Sequence, residues 1–309
     1  MLLRYIAMQY ETIAVKRLSP VIGAQIDGVD LSEPLGNQTF AELHDALMRF
    51  QVIVFRDQEM TLDDQKRLGR HFGDLHVHPF AKTPEGHPEV LTIHADASNK
   101  RVAGHGWHTD VSCDPEPPMG SILYLKTTPE TGGDTMFSSM YAAYDALSAP
   151  VKALLEGLEA EHRSEHLASG NAGHGDHKDQ RDYPASVHPV VRTHPVTRRK
   201  ALYVNAGFTR RILGIERKES DALLEFLFDH VRTPEFHCRF AWEDNSVAFW
   251  DNRAVQHHAL WDYYPQVRSG FRVTIQGDKP FLSTDESPEV HSDTSLRLSG
   301  YDLKGRPDS

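Results

Sequence analysis

The sequence predicts a mostly β protein with flanking helices, an α+β fold whose core is a double-stranded β-helix or jelly roll. Short runs rich in β-branched and aromatic residues recur along the chain, and glycine or proline separates them. Only a few segments show helical spacing, and no internal repeat is visible. Many short strands with turn signals between them are typical of closed or two-sheet β architectures.

Two helices and a strand are predicted near the N-terminus. Apolar side chains recur at helical spacing over residues 39–50, and Thr39 with Glu42 predicts a capping box at the start of that helix. The apolar, β-branched run at residues 51–57 predicts a buried strand. A second capping-box pattern predicts another helix over residues 61–72.

Most of the remaining elements are predicted strands. Helical spacing returns at residues 141–162 and at the amphipathic segment 219–230. The predicted strands are residues 90–94, 120–127 and 134–137, two within 187–205, two within 236–250, and residues 270–277.

We expect one catalytic domain over residues 1–280. The polar, glycine-rich segment at residues 165–186 has no periodicity and predicts a lid loop, because long loops in compact domains often cover sites. The polar residues 281–309 predict a surface tail.

Composition excludes several classes of protein. A formal net charge of -11 argues against a nucleic-acid binder, which needs lysine and arginine to neutralise phosphates. No apolar run approaches the length of a membrane span, and no signal peptide is evident at the start. Cys113 and Cys238 are too few for a disulfide framework, which favours reduced thiols in a cytoplasmic protein.

The candidate chemistry lies in one of several H-x-D patterns. With 19 histidines such pairs arise by chance, so the pattern alone is weak evidence. His108 and Asp110 stand out because the segment after them leads into an apolar strand, where a rigid scaffold can aim both side chains inward. His257 follows another strand and supplies a third ligand. Two histidines and one carboxylate are typical of a non-heme Fe(II) site with open coordination positions.

Two arginines follow the third ligand in an otherwise apolar segment. Arg268 and Arg272 are four residues apart, a spacing that would place both on one strand face, so both side chains can point inward and pair with carboxylates. The alternative is an exposed, solvated strand face.

From about residue 12 to residue 280 the sequence resembles the taurine/chlorophenoxyacetate dioxygenase family. The length and order of the shared segments are far more specific than any single motif. These segments are VIGAQIDGVDLSEPL, VIVFRDQ, FGDLHVHP, WHTDVS, TGGDT, HPVVRTHPV, WDNRAVQH and GDKPF.

The resemblance implies a set of roles for residues in this sequence. It implies that His108, Asp110 and His257 bind Fe(II), and that Thr135 and Arg268 bind the distal carboxylate of 2-oxoglutarate. Members of the family use O₂ to hydroxylate a substrate while 2-oxoglutarate is converted to succinate and CO₂. Because Asp110 is present, hydroxylation is expected rather than halogenation, for which relatives lack the carboxylate.

The resemblance also implies an anion-binding substrate pocket that differs from the one that binds taurine. The implied substrate contacts are His78, Arg272, the backbone near Val111, and the aromatic ring of Phe208. Three positions that carry tyrosine, asparagine and phenylalanine in relatives that act on taurine are smaller here, namely Ala81, Gly104 and Ala168. We therefore expect a roomier, less polar pocket, and taurine itself is not the expected substrate.

Three functions from different classes follow from these observations. The first is a hydroxylase of a small organic anion, which is a sulfonate, an alkyl sulfate or an aryloxyalkanoate. The second is a tailoring hydroxylase that acts on a secondary-metabolite or amino-acid substrate. The third is a non-catalytic β-barrel that binds a metal or an acid. The resemblance further implies a homodimer or homotetramer, with no nucleic-acid or membrane partner.

Overall fold

Strands dominate the computed structural model, which describes residues 10–77, 83–99, 104–164 and 184–283. The strands in chain order are β1 (Ala14–Arg17), β2 (Ala24–Asp27), β3 (Val52–Phe55), β4 (Val90–Ala95), β5 (Gly120–Thr127), β6 (Thr135–Ser139), β7 (Glu159–Arg163), β8 (Ala185–Pro189), β9 (Val191–Thr193), β10 (Lys200–Leu202), β11 (Thr209–Ile212), β12 (His237–Phe240), β13 (Ser246–Asp251), β14 (Val255–Ala259) and β15 (Arg268–Ile275). The helices are α1 (Asn37–Phe50), α2 (Leu62–Arg70), α3 (Met140–Asp145), α4 (Ala149–Leu155) and α5 (Arg217–Val231), with a 3₁₀ turn at Pro234–Phe236.

A seven-stranded sheet in the order β1-β2-β3-β13-β5-β15-β4 forms one layer of the molecule. Its pairs are antiparallel except for the parallel pair of β2 and β3. A three-stranded sheet in the order β12-β6-β14 packs against it, and the remaining sheets are β11-β7-β8 and β10-β9. The prediction of a mostly β, jelly-roll fold is therefore confirmed.

Both faces of the large sheet are covered, which explains why its central strands are apolar throughout. In β3 the side chains of Ile53 and Phe55 pack with α1 and α2, whereas Val52 and Val54 face the core shared with the three-stranded sheet. Strand side chains alternate between faces, so a strand that is buried on both sides must be apolar at every position. The four residues VIVF satisfy that requirement.

The structure corrects the predicted start of the first helix. Gly36, not Thr39, is the N-cap residue, and it makes no side-chain cap. Glu42 is buried, and its carboxylate accepts hydrogen bonds from the backbone N–H groups of Glu11, Thr12 and Ile13. The Glu42 carboxylate therefore satisfies backbone N–H groups in the segment that leads into β1, and not those at the start of its own helix. The capping box of Thr61 and Asp64 is confirmed at the start of α2.

The helical prediction for residues 141–162 is only partly right. The region contains two short helices, α3 and α4, and its last residues form β7 instead. Ser148 is the N-cap residue of α4, and Pro150 lies in the first turn of that helix. Proline is tolerated there but not in a helix interior, so a single helix could not continue through this position. The predicted lid loop and tail lie largely outside the described residues. No helix in the described part of the chain is long and apolar enough to cross a bilayer.

Candidate metal centre

Two histidines far apart in sequence are joined through their backbones. His108 and His257 form an isolated antiparallel bridge, in which the N–H of each donates to the carbonyl of the other at 3.1 Å and 2.9 Å. This bridge brings the ring centroids to 4.1 Å from each other. His257 lies on β14, whose partner β6 belongs to the same small sheet, so the sheet fixes the position of both rings.

Asp110 completes a cluster of three groups that could hold a cation. Its Oδ1 atom lies 3.7 Å from Nε2 of His108 and 3.8 Å from Nε2 of His257. One candidate ligand atom from each residue lies within 4.8 Å of the other two, and among the described residues no other group of three such side chains meets this criterion. The cluster is built from the three residues singled out in the sequence.

The Nε2 atoms of both imidazoles face the Asp110 carboxylate. Nδ1 of His108 lies 2.9 Å from the carbonyl of Gly106; because a carbonyl only accepts, Nδ1 carries the proton and Nε2 is left with a lone pair. Burial and the neighbouring His108 lower the pKa of His257 well below its usual range. The His257 ring packs 4.8 Å from Trp250 and 6.2 Å from Phe137, between centroids. Two imidazoles and a carboxylate fit a divalent transition-metal ion.

The Asp110 carboxylate is buried and ionised. Burial raises its pKa, but the nearby Arg272, His257 and His108 side chains together lower the pKa well below its usual range. Nη1 of Arg272 donates to Oδ1 at 3.1 Å, and Oγ of Ser121 donates to Oδ2 at 2.8 Å. The two oxygens of the carboxylate therefore have different partners.

The backbone of Asp110 is held by a buried asparagine. Its N–H donates to Oδ1 of Asn252 at 2.8 Å, and Nδ2 of Asn252 donates back to the Asp110 carbonyl at 3.0 Å and to the Pro118 carbonyl at 3.0 Å. The next residue, Val111, has a φ of 47°, in the left-handed region that β-branched residues rarely adopt. The asparagine pair thus holds the chain where it turns away from the metal cluster.

The residues before and after this asparagine, Asp251 and Arg253, form a buried ion cluster with His194. Asp251 accepts hydrogen bonds from Nε and Nη2 of Arg253 at 2.9 Å and 2.7 Å, and from Nε2 of His194 at 3.0 Å. Nδ1 of His194 accepts from two backbone N–H groups, which fixes the proton on Nε2. All three side chains are buried, so each charge depends on its partner.

Arg268 and Thr135 both contact the indole ring of Trp242. The Thr135 hydroxyl accepts from Nε1 of Trp242 at 3.0 Å, and the Arg268 guanidinium carbon lies 5.5 Å from the centroid of the Trp242 ring. Nε of Arg268 donates to the Gly133 carbonyl at 3.1 Å. Its Nη2 atom is buried and has no hydrogen-bond partner among the described residues. A buried guanidinium donor without a partner fits an anionic ligand with a planar carboxylate.

The predicted substrate contacts are only partly within the described residues. Val111 follows Asp110 directly, and Phe208 is buried with its N–H donated to Oδ1 of Asn205 at 2.9 Å. Gly104 lies beside the cluster, since a Cβ at this position would be 3.5 Å from Cε1 of His108. His78, Ala81 and Ala168 lie outside the described residues, and the lid predicted at 165–186 lies mostly there too.

The sequence reasoning missed Ser121 and Asn252. In the sequence, Ser121 falls within the predicted strand 120–127, and Asn252 falls within the shared segment WDNRAVQH. A signal was present in each case. Ser121 is a polar residue in the buried part of β5, and the polar run Asp251 to Arg253 begins at the last residue of the buried strand β13. Polar side chains in such places need buried partners.

The chain is similar to known proteins in both sequence and structure. The family model described as "Taurine catabolism dioxygenase TauD, TfdA family" matches residues 14–274. An alpha-ketoglutarate-dependent sulfonate dioxygenase of Saccharomyces cerevisiae is 36% identical, over 87% of this chain and 68% of that protein. An alpha-ketoglutarate-dependent sulfate ester dioxygenase of Pseudomonas putida is 36% identical, over 84% of this chain and 88% of that protein.

A solved structure is similar over nearly the same length. The crystal structure of a taurine dioxygenase from Burkholderia xenovorans superimposes with a TM-score of 0.76 and 38% identity, and the match covers 87% of this chain and 93% of that chain.

Proposed function

This chain belongs to the taurine catabolism dioxygenase TauD/TfdA family, and from that premise we propose that it hydroxylates a small organic anion at a centre formed by His108, Asp110 and His257. It is an Fe(II)- and 2-oxoglutarate-dependent dioxygenase that consumes O₂. The observation that carries the proposed site is the convergence of two imidazole nitrogens and one carboxylate oxygen within 4.8 Å. Fe(II) held by these groups supplies the redox chemistry and the open coordination positions that 2-oxoglutarate and O₂ require.

We propose that Arg268 and Thr135 bind the distal carboxylate of 2-oxoglutarate. Nη2 of Arg268 has no hydrogen-bond partner in the described part of the chain, which supports this role because a buried charged donor is costly unless a ligand satisfies it. The Thr135 hydroxyl accepts from Trp242, so its own proton is available for a carboxylate oxygen. The hydrogen bond from Nε to the Gly133 carbonyl orients the guanidinium for that contact.

Replacing Arg268 by alanine is expected to raise KM for 2-oxoglutarate by roughly 10- to 150-fold, since hydrogen bonds to a charged group contribute about 1.5–3 kcal/mol. Steady-state succinate formation at varied 2-oxoglutarate concentrations measures the change. Arg217→Ala, which removes an exposed arginine on α5, is the control and leaves KM unchanged. Equal KM values for Arg268→Ala and the control would remove Arg268 from the co-substrate site.

We propose that Arg272 and His78 bind the anionic group of the substrate, with help from the backbone near Val111 and the ring of Phe208. The Arg272 guanidinium touches Asp110, so an anion held by it would lie next to the metal ligands. Gly104 leaves space beside His108 where a larger residue would extend toward the ring. An anionic head with a bulky or aromatic body is the substrate shape that this combination accepts.

The proposed substrates are sulfonates, alkyl sulfate esters and aryloxyalkanoates. Hydroxylation of the carbon that bears sulfur or oxygen gives a product that collapses to an aldehyde or ketone. The heteroatom group then leaves as sulfite, sulfate or a phenol. The sulfonate and sulfate ester relatives support this class of reaction for the chain.

The test is anaerobic addition of Fe(II) and 2-oxoglutarate, followed by a panel of these three classes of acid. We expect a weak visible charge-transfer band that one class perturbs, and release of the corresponding sulfite, sulfate or phenol with succinate once O₂ is admitted. A band that no acid perturbs would contradict the substrate proposal and favour a tailoring hydroxylase. Absence of any band would contradict the metal centre itself and favour the acid-binding β-barrel.

We also propose that the protein is a cytoplasmic homodimer or homotetramer without nucleic-acid or membrane partners. Cys113 and Cys238 are both free and buried, which is consistent with a reducing compartment. The catalytic domain is proposed to lie within residues 1–280, with the lid near 165–186 and the tail at 281–309. The family match over residues 14–274 supports the domain proposal.

A further inference from the structure

Ser121 is a fully buried hydroxyl that none of the proposed functions uses. It lies on β5 between β13 and β15, opposite Trp250 on one side and Thr274 on the other. Neighbouring strands therefore fix its backbone from both sides. Its hydroxyl donates to Oδ2 of Asp110 at 2.8 Å.

The other oxygen of the same carboxylate faces the imidazoles. Oδ1 lies 3.7 Å and 3.8 Å from Nε2 of His108 and His257. A carboxylate that is free to rotate could offer either oxygen, or both, to a cation. With Oδ2 hydrogen-bonded to Ser121 and the backbone held by Asn252, the rotation of the Asp110 side chain is restricted from both ends.

We propose that Ser121 is a positioning residue that reserves Oδ2, so that Asp110 offers the metal Oδ1 alone. The inference rests on the proposed role of Asp110 as a ligand. A carboxylate that binds through one oxygen occupies one coordination position rather than two. The hydroxyl of Ser121 thereby helps to keep the remaining positions open for 2-oxoglutarate and O₂. Partners of this kind, which orient a ligand without touching the metal, are common in metal centres.

The test compares two buried strand serines. Ser121→Ala removes the hydrogen bond to Asp110, whereas Ser138→Ala removes an equally buried hydroxyl that donates to the Val231 carbonyl at 3.0 Å. Anaerobic titration with Fe(II), and separately with Co(II), gives the metal affinity of each variant without turnover. We expect Ser121→Ala to bind metal about 10- to 100-fold more weakly than the wild type, and Ser138→Ala to bind it normally.

A second readout separates positioning from general stability. Addition of metal raises the thermal unfolding midpoint of the wild type through linkage, and this rise should shrink in Ser121→Ala but not in Ser138→Ala. Ser121→Cys keeps a weaker donor in a similar volume and should recover part of the metal affinity. If Ser121→Ala fails to fold, Ser121→Cys against Ser138→Ala provides the comparison.

The outcomes distinguish this inference from the proposed function. Equal metal affinities of Ser121→Ala and Ser138→Ala, in a protein whose metal binding is lost in Asp110→Ala, would overturn the positioning role and leave the metal centre intact. Metal binding that does not depend on Asp110 would contradict the proposed function and the inference with it.

Discussion

Asp110→Ala should lower succinate formation by at least about 1000-fold, equivalent to about 4 kcal/mol of activation free energy. Two losses combine in this variant. It removes the charged member of the proposed ligand set, and it leaves the Arg272 guanidinium unneutralised beside the two imidazoles. A cation that enters the centre would then meet a positive charge instead of a carboxylate, so we expect metal affinity to fall together with turnover.

The measurement pairs succinate formation with an anaerobic metal titration. Asp145→Ala is the control, because it is the same substitution at an exposed position whose partner is Arg199. It should retain both turnover and metal affinity. Turnover of Asp110→Ala within tenfold of the wild type would show that the carboxylate is not a ligand. If the wild type and Asp110→Ala bind an organic acid with the same affinity and neither forms succinate, the non-catalytic β-barrel would be favoured.

Asp251→Asn should lower the free energy of unfolding by about 3–5 kcal/mol, because breaking a buried pair leaves an uncompensated charge. The substitution keeps the volume but removes the charge that faces Arg253. The new amide can also place a donor against Nε2–H of His194, whose proton is fixed by the backbone contacts at Nδ1. Urea unfolding measures the change, provided that the slope of the transition is unaltered.

The same substitution at Asp221 is the matched control. Asp221 pairs with Arg217 on α5, and both side chains are more than half exposed. Exposed pairs contribute little, so we expect Asp221→Asn to change stability by less than about 1 kcal/mol. A similar loss in both variants would mean that the buried cluster does not contribute more than a surface pair.

The buried cluster also predicts how acid destabilises the protein. Burial raises the pKa of Asp251, but Arg253 and His194 outweigh it and hold the pKa far below the ordinary value of 3.8. The stabilising contribution is therefore complete above pH 3.8 and is lost progressively as the pH falls below it. In Asp251→Asn this part of the acid dependence should be absent, which is visible in unfolding curves recorded at several acidic pH values.

Much of the fold could be predicted because strand periodicity and burial follow from local sequence. β5 was predicted with its actual bounds, and the apolar run that contains β3 was predicted as a buried strand. The errors arose where a distant contact determined the outcome. Glu42 has the spacing of a capping residue, but it is satisfied by backbone groups that precede β1. The end of the segment 141–162 is a strand because β8 and β11 pair with it, which helical spacing cannot reveal.

The residues of the candidate site likewise differ in how far the sequence could indicate them. His108, Asp110 and His257 could be singled out from context and resemblance, because residue types with metal affinity stood beside predicted strands. Ser121 and Asn252 had only the weaker signal of a polar residue in or beside a buried strand, because their importance depends on hydrogen bonds between segments that are distant in sequence. The lack of a partner for Nη2 of Arg268 among the residues that the structure describes is likewise a property of the packed structure and not of any motif.

The backbone bridge between His108 and His257 has a consequence for when the protein can acquire its metal. A nascent chain that has not yet released residue 257 from the ribosome carries only two of the three proposed ligands. His108 also lacks the hydrogen bonds that fix its backbone until β14 has formed and docked beside it. We therefore expect the three proposed ligands to come together only in chains whose strand β14 has already docked.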